Sequence, residues 1–141
     1  MRERRRLKLA RQRLTLANMA RREAMAGLAD AVAEEDRTAS LARRSRDLFE
    51  EYARSRDDMD AAGLRNQAAF VRALRGVARQ AEDALQDASD QAKWQARTLA
   101  AAEARASRSQ EQLDDARRAL DALLERREHP LPIGMARKLH K

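Results

Sequence analysis

The sequence predicts an all-α fold, a long antiparallel two-helix coiled-coil hairpin. Small or apolar residues recur at a seven-residue spacing in both halves of the chain, and a glycine lies between the halves. The composition agrees with this fold, because 38% of the 141 residues are charged and only 3% are aromatic. Such a balance is typical of long helices and coiled coils.

The second half of the chain carries the more regular repeat and predicts a helix over residues 64–128. Two rows of seam residues continue through it at the 3.5-residue period of a coiled coil. The first row is Leu64, Val71, Ala78, Leu85, Ala92, Leu99, Ala106, Leu113 and Leu120. The second row is Gln67, Leu74, Ala81, Ala88, Gln95, Ala102, Ser109, Ala116 and Leu123.

The first half carries a looser form of the same repeat and predicts a helix over residues 4–60. Its rows are Leu7, Leu14, Arg21, Leu28, Glu35, Ala42, Phe49 and Ala10, Ala17, Ala24, Ala31, Thr38, Ser45, Tyr52, Met59. Arg21 and Glu35 interrupt the first row, and residues 34–38 are its most polar stretch. We interpret this interruption as a drift of the repeat toward 3.6 residues per turn. Such a drift brings Met25, Val32 and Ala39 into the seam.

Gly63 predicts a turn over residues 61–63, since glycine readily adopts the left-handed conformation that ends many helices. A turn here places Leu7 opposite the region 116–118. Pro130 and Pro132 predict the end of the second helix, because proline lacks the amide proton that a helix needs. Residues 129–141 are predicted to form a flexible basic tail, and residues 1–141 together form a single coiled-coil hairpin.

Positive charge is concentrated at the two ends of the chain. Residues 1–22 contain nine Lys or Arg and one acid, and residues 126–141 contain five and one, whereas residues 23–125 contain sixteen against twenty-one. A hairpin brings both basic ends together. The cations that crowd the first helix start also oppose the helix macrodipole, which is unfavourable unless something compensates it.

The residues that catalysis or metal binding requires do not converge in this sequence. There is no cysteine, phosphate-binding loop or nucleophile motif, and the two histidines have no spaced metal partner. Asp57, Asp58 and Asp60 lack the spacing of a calcium loop and are interpreted as a solvated turn. No enzymatic activity, cofactor or metal site is expected.

Neither a membrane span nor a secretory signal is expected, because no long apolar run occurs and Met1 is followed by charged residues. An Arg-rich start also allows a mitochondrial transit peptide. We favour a continuous helix, since the amphipathic pattern runs on into the coiled coil.

An apolar stripe lies on the second helix near the predicted turn, formed by Phe70, Leu74, Val77 and Ala81 at helical spacing. It either widens the contact with the first helix near Phe49 and Tyr52 or forms a docking strip for a partner. Trp94 occupies an outer heptad position, where a lone exposed tryptophan is either harmless or an interface hot spot.

The middle of the chain resembles the mid-chain segment of a known protein family. This family comprises the flagellar export protein FliJ and its type III secretion relatives, the YscO group. The resemblance lies in the segment Asp60-Ala61-Ala62-Gly63-Leu64-Arg65-Asn66-Gln67-Ala68-Ala69-Phe70-Val71-Arg72-Ala73-Leu74. The long arm over residues 80–127, ending in Leu-Glu-Arg-Arg, is similar too. The resemblance covers most of the chain. The chain departs from the family in its alanine-rich first arm and its proline-containing tail.

The resemblance implies a function, whereas the seven-residue repeat by itself predicts only the fold. FliJ-like proteins are two-helix coiled coils that act as a central stalk in the hexameric export ATPase, contact the membrane export-gate protein and in some cases handle export chaperones. It implies a cytoplasmic protein, peripheral at the inner face of the cell membrane, with no specific nucleic acid partner. The implied ATPase-binding residues are Arg4, Arg5, Arg6, Lys8, Arg11, Arg13, Arg126 and Arg127, and the implied export-gate residues are Phe70, Leu74, Val77 and Ala81.

Two alternative functions remain open from the sequence. One is a basic coiled-coil protein that binds nucleic acid or an anionic membrane surface, which predicts positive charge along a whole face. The other is a structural spacer, which predicts no exposed apolar stripe.

Overall fold

Two long α-helices make up the described part of the protein. The computed structural model describes residues 1–55 and 60–129, in which α1 spans Arg2–Arg54 and α2 spans Ala61–Glu128. The two helices pack against each other as a helical hairpin. The predicted all-α, two-helix fold is therefore confirmed.

Tertiary contacts divide the chain into two compact units, and both helices contribute to each unit. Unit 1 comprises Met1–Arg22 and Ala101–Lys141, and unit 2 comprises Glu23–Ala100. Within the described residues, each unit is one segment of α1 packed on one segment of α2.

Unit 1 has a small core of aliphatic side chains. Leu7, Ala10, Leu113 and Ala116 form a buried cluster, and Leu14 and Leu120 pack against it. Leu113 is only 3% exposed, so truncating it to alanine is expected to cost about 2–5 kcal/mol. The clustering of Leu7 with Ala116 confirms the predicted pairing of these segments.

Unit 2 is held together mainly by small seam residues. Its buried residues are Ala24, Ala31, Ala42, Ser45, Ala78, Ala81, Ala88 and Ala92. Small side chains let two helix backbones approach closely but bury little apolar area each. No large side chain in the described residues is fully buried. The interhelical contact in this unit is therefore long and shallow.

The seam rows predicted from the sequence are confirmed by the burial pattern. In α2 every seam residue is buried or half-buried except Leu64, which is 49% exposed near the start of the helix. In the described part of α1 only Arg21 and Tyr52 of the seam residues are exposed. The heptad spacing therefore identified the interface almost residue by residue.

The predicted drift of the seam in α1 is wrong for Met25 and Val32, whereas Ala39, the third residue that it would bury, is half-buried. Met25 and Val32, which a drift would bury, are 52% and 43% exposed, whereas Ala31 is buried and Glu35 is half-buried in the original rows. The 3.5-residue period persists because small residues line the contact on both sides. The polar residue Thr38 is tolerated there, since its hydroxyl donates to the carbonyl oxygens of Glu34 and Glu35 at 2.9 and 3.0 Å.

The predicted role of Gly63 is also wrong. No described glycine has a positive φ, and Gly63 lies in the first turn of α2. The amide of Gly63 donates to the Asp60 Oδ1 atom at 2.7 Å, so Asp60 is the N-cap and Gly63 the third helical residue. The N-cap carboxylate sets the start of α2 because it satisfies an amide that the helix leaves free.

The end of α1 is stabilised by a side chain from α2. The Gln67 Nε2 atom donates to the carbonyl oxygens of Tyr52 and Ser55, each at 3.0 Å. Tyr52 belongs to the last turn of α1 and Ser55 directly follows it, at a helix end whose carbonyls generally lack intrahelical amide partners. A polar seam residue thus connects the two helices next to the turn.

The helix bounds differ from the predicted ones at three of the four helix ends. The first helix begins at Arg2 rather than at residue 4. The first helix ends at Arg54 rather than at residue 60, and the second begins at Ala61 rather than at residue 64. The second helix ends at Glu128 as predicted. The predicted turn at 61–63 is therefore helical, and the tail beyond His129, with Asp57, Asp58 and Met59, lies outside the described residues.

Candidate functional site

Unit 1 carries a strongly basic surface on the first turns of α1. All eight cations implied as ATPase-binding residues are solvent-exposed: Arg4, Arg5, Arg6, Lys8, Arg11, Arg13, Arg126 and Arg127. Six of them belong to α1, whose buried residues Leu7 and Ala10 face the unit 1 core between them. Core packing of these two residues therefore directs the cations outward.

A first groove lies beside Leu9 and is called here the Leu9 groove. It has a volume of about 520 Å³ and is lined by Arg2, Arg5, Arg6, Leu9, Ala10, Arg13 and Gln112. Four arginines therefore line the same groove as the aliphatic side chains of Leu9 and Ala10. Among the residues that the structure describes, no acidic one lines this groove.

A second groove lies beside Leu123 and is called here the Leu123 groove. It has a volume of about 490 Å³ and is lined by Arg2, Glu3, Arg6, Ala119, Ala122, Leu123 and Arg126. Arg2 and Arg6 line both grooves, and Glu3 is the one acidic residue of this lining. Arg126 in the last turn of α2 completes it, at a helix end where a cation is favourable.

The structure brings together some of the implied cations and separates others. Arg5, Arg6 and Arg13 line the Leu9 groove, and Arg6 and Arg126 line the Leu123 groove. Four others, Arg4, Lys8, Arg11 and Arg127, are exposed but line neither groove.

The uncharged residues that complete the grooves were not predicted from the sequence. Leu9 precedes a buried alanine and lies outside the seam rows, and it is 47% exposed. Gln112 of α2 reaches the Leu9 groove only because of the helix pairing. A leucine outside the seam rows of an arginine-rich segment was the available signal for Leu9, whereas Gln112 had none.

The cations in the first turns of α1 form no ion pair with an acid in the part of the chain described. Within residues 1–55 and 60–129, four ion pairs form: Arg37–Glu34, Arg46–Glu82, Arg54–Glu50 and Arg118–Asp115. None of them includes a cation from the first turns of α1. The residues beyond 129 contain no Asp or Glu.

One of these ion pairs joins the two helices in unit 2. Arg46 donates to Glu82 from Nε at 3.2 Å and from Nη2 at 2.6 Å. The hydrogen bond with Glu82, followed by its charge, raises the pKa of Arg46 above its usual value. Because arginine is already charged at physiological pH, this bond fixes geometry and creates no pH switch.

Unit 2 carries an apolar surface on the opposite side of the seam from Arg46. Phe70 and Val77 each precede a first-row seam residue of α2, and both are about half exposed, at 47% and 52%. The Phe70 ring packs edge-on against Tyr52 of α1, with ring centroids 5.0 Å apart and an interplanar angle of 82°. Phe70 therefore both contacts α1 and presents a free apolar surface.

The other two residues of the predicted stripe do not share this exposure. Leu74 is half-buried, and Ala81 is 7% exposed and part of the interhelical seam. Ala81 does not belong to a docking surface, because its side chain already packs against α1. The predicted stripe mixed two adjacent helix faces, since spacings of three and four pass from the outer face into the seam.

Two leucines of α1 extend the apolar surface and were not identified from the sequence. Leu41 and Leu48 precede the seam residues Ala42 and Phe49 and are 56% and 46% exposed. In an antiparallel pair, the positions that precede first-row residues border the same side of the seam on both helices. Leu41 and Leu48 therefore lie on the same side as Phe70 and Val77.

Trp94 is 56% exposed, so its predicted outer position is confirmed. In the described residues, no group of three or more His, Cys, Asp or Glu side chains is placed to hold a metal ion. Neither of the two described helices has a stretch apolar enough to cross a membrane.

Comparisons with known proteins identify no relative. No family model, no curated protein and no solved structure matches this chain.

Proposed function

We propose that this chain is a non-enzymatic stalk and escort component of a bacterial flagellar, type III protein export apparatus. In this role it binds the hexameric export ATPase through the basic surface of unit 1 and contacts the membrane export-gate protein and export chaperones. It acts in the cytoplasm, peripherally at the inner face of the cell membrane. The resemblance of residues 60–74 and 80–127 to the FliJ and YscO proteins supports this proposal.

The observation that carries the proposal is the exposed basic surface of α1, which has no ion-pair partner among the described residues. Like charges crowded at a helix N-terminus repel one another and oppose the helix dipole. Binding to an acidic protein surface removes both costs. The shallow interhelical core and the two open grooves support a role in contacts with other proteins rather than in catalysis.

The apolar surface of unit 2 supports the proposed export-gate contact. Of the four residues implied to contact the export gate, Phe70 and Val77 have exposed side chains, and Leu74 beside them is half-buried. Aromatic anchors surrounded by smaller apolar residues are frequent in the energetic centre of protein interfaces. Leu41 and Leu48 would widen this contact onto α1.

Binding to a purified hexameric export ATPase tests the proposal. Replacing Arg5, Arg6 and Arg13 by Glu is expected to weaken binding at least about tenfold, since each exposed pair contributes about 0.2–1 kcal/mol and a reversal turns attraction into repulsion. The matched control replaces Arg72, Arg75 and Arg79 of unit 2, which are also exposed, by Glu. Its affinity for the ATPase is expected to stay within about twofold of that of the parent chain.

Affinity and ATP hydrolysis are measured at two salt concentrations, because exposed charge pairs are screened beyond about 8–10 Å at physiological ionic strength. Equal losses in the two triple variants, or binding that is indifferent to both changes and to salt, would contradict the proposed ATPase contact.

A further inference from the structure

The Leu9 and Leu123 grooves combine two kinds of side chain that different ligands would use. The arginines that line the grooves are called here the rim residues and the aliphatic residues the floor residues, and Arg2 and Arg6 line both grooves. Leu9 and Ala10 contribute to one floor, and the other floor contains Leu123 between two alanines. The lining is therefore cationic and aliphatic at the same time.

The charge of the lining favours an anionic ligand. Four arginines and no acid line the Leu9 groove, and three arginines and Glu3 line the Leu123 groove. The guanidinium group presents a planar fork of donors that matches a carboxylate in two parallel hydrogen bonds. Charge complementarity thus favours carboxylates or phosphates as the groups that contact the rims.

The aliphatic floor favours a polypeptide over a polynucleotide. Single-stranded nucleic acids stack their bases on aromatic side chains, and neither groove contains one. A duplex presents mainly phosphates to a protein and leaves aliphatic floor residues without a contact. An acidic peptide that also carries leucine or isoleucine satisfies both the rim and the floor.

We propose that the two grooves bind one acidic amphipathic segment of a partner protein, whose Asp or Glu side chains contact Arg2 and Arg6 and whose aliphatic side chains cover Leu9 and Leu123. This inference rests on the proposed function insofar as it takes the partner to be a protein. It adds the chemistry of the partner segment, which the resemblance does not supply. We expect the segment to bind as an amphipathic helix, because helices commonly place one apolar face in a hydrophobic groove.

Synthetic peptides test this inference on the full-length chain. The first peptide has about 18 residues, five helical turns, with Glu on one face and Leu on the other. The second has the same charges with each Leu replaced by Ser. Two further probes are single-stranded oligothymidylate and phosphatidylcholine vesicles that contain phosphatidylglycerol. Affinities are measured by fluorescence anisotropy or, for vesicles, by co-sedimentation.

The leucine-containing peptide is expected to bind at least about tenfold more tightly than the serine peptide, because the aliphatic floor contributes only to the first. Replacing Arg2 and Arg6 by Gln is expected to weaken the first peptide more than about tenfold. The variant Leu9→Ser is expected to weaken it about fivefold or more while leaving the serine peptide unchanged.

The control variant with Arg75→Gln and Arg79→Gln removes the same charge from unit 2 and is expected to bind the first peptide as the parent does. Helical content and the melting temperature of every variant are recorded, so that a loss of binding is separated from a loss of folding. Leu9→Ser provides a second variant with no charge change.

Equal affinity for the two peptides would overturn the inference, since the floor would then make no contribution. Tighter binding of oligothymidylate or of the vesicles than of either peptide would also overturn it, in favour of nucleic acid or membrane. If either of these results were obtained while binding to an export ATPase stayed intact, only the proposed acidic amphipathic segment would be refuted, and the proposed function would stand. Tight peptide binding without ATPase binding would refute the proposed function alone.

Discussion

Gly27 and Gly76 are both interior helix residues, but their surroundings differ. A Cβ atom added at Gly76 meets no heavy atom within 4 Å, whereas one added at Gly27 lies 2.8 Å from Oε1 of Gln95. Glycine in a helix interior is less favourable than alanine by about 0.5–1 kcal/mol. Alanine at Gly76 would therefore stabilise the helix without a steric clash, whereas Gly27 leaves room for the side chain of the half-buried seam residue Gln95.

We expect Gly76→Ala to raise the free energy of unfolding by about 0.5–1 kcal/mol. Gly27→Ala is expected to give less, because the end of the Gln95 side chain must move away from the new methyl group. Urea denaturation measures both values. Adding Gln95→Ala to Gly27→Ala should recover the missing part of the gain, as residues in contact are coupled. Equal gains from the two single variants would contradict the close approach of Gln95.

At the scale of the helices, the seam was predictable because heptad spacing depends only on local sequence. The turn was predicted wrongly, since Gly63 was taken as a helix end, whereas it lies in the first turn of α2 and its amide donates to the Asp60 carboxylate. The burial of Ala31 and exposure of Met25 likewise depend on the opposite helix. The cations of the candidate site were evident from composition, but the grooves that contain Leu9, Gln112 and Leu123 require the pairing of α1 with α2.

The start of α2 depends on Asp60, whose carboxylate accepts the amide proton of Gly63. We expect Asp60→Ala to lower the free energy of unfolding by about 1 kcal/mol, the usual loss when an N-cap side chain is removed. Asp60→Asn retains a side-chain oxygen for the same amide and is expected to lose much less. Chemical denaturation of the three proteins measures the difference. Equal losses for the two variants would indicate that charge rather than capping matters at this position.

At the scale of the whole molecule, the described seam residues of each helix are buried or half-buried against the other helix of the same chain, except Arg21, Tyr52 and Leu64. Little seam surface is left for a second copy. We therefore expect a monomeric hairpin in which the segments of unit 1 meet within one chain. The sequence contains no cysteine, so labels can be attached at chosen positions only.

Spin labels at Arg11→Cys and Arg118→Cys, two exposed positions of unit 1, test this expectation. Packed helix axes lie about 8–10 Å apart, so the doubly labelled chain is expected to give a short interspin distance. Because that distance is intramolecular, an excess of unlabelled protein is expected to leave it unchanged. The matched control carries only Arg11→Cys and should give no short distance. A short distance in this control, or one that disappears on dilution with unlabelled chains, would show that the helices pair between molecules.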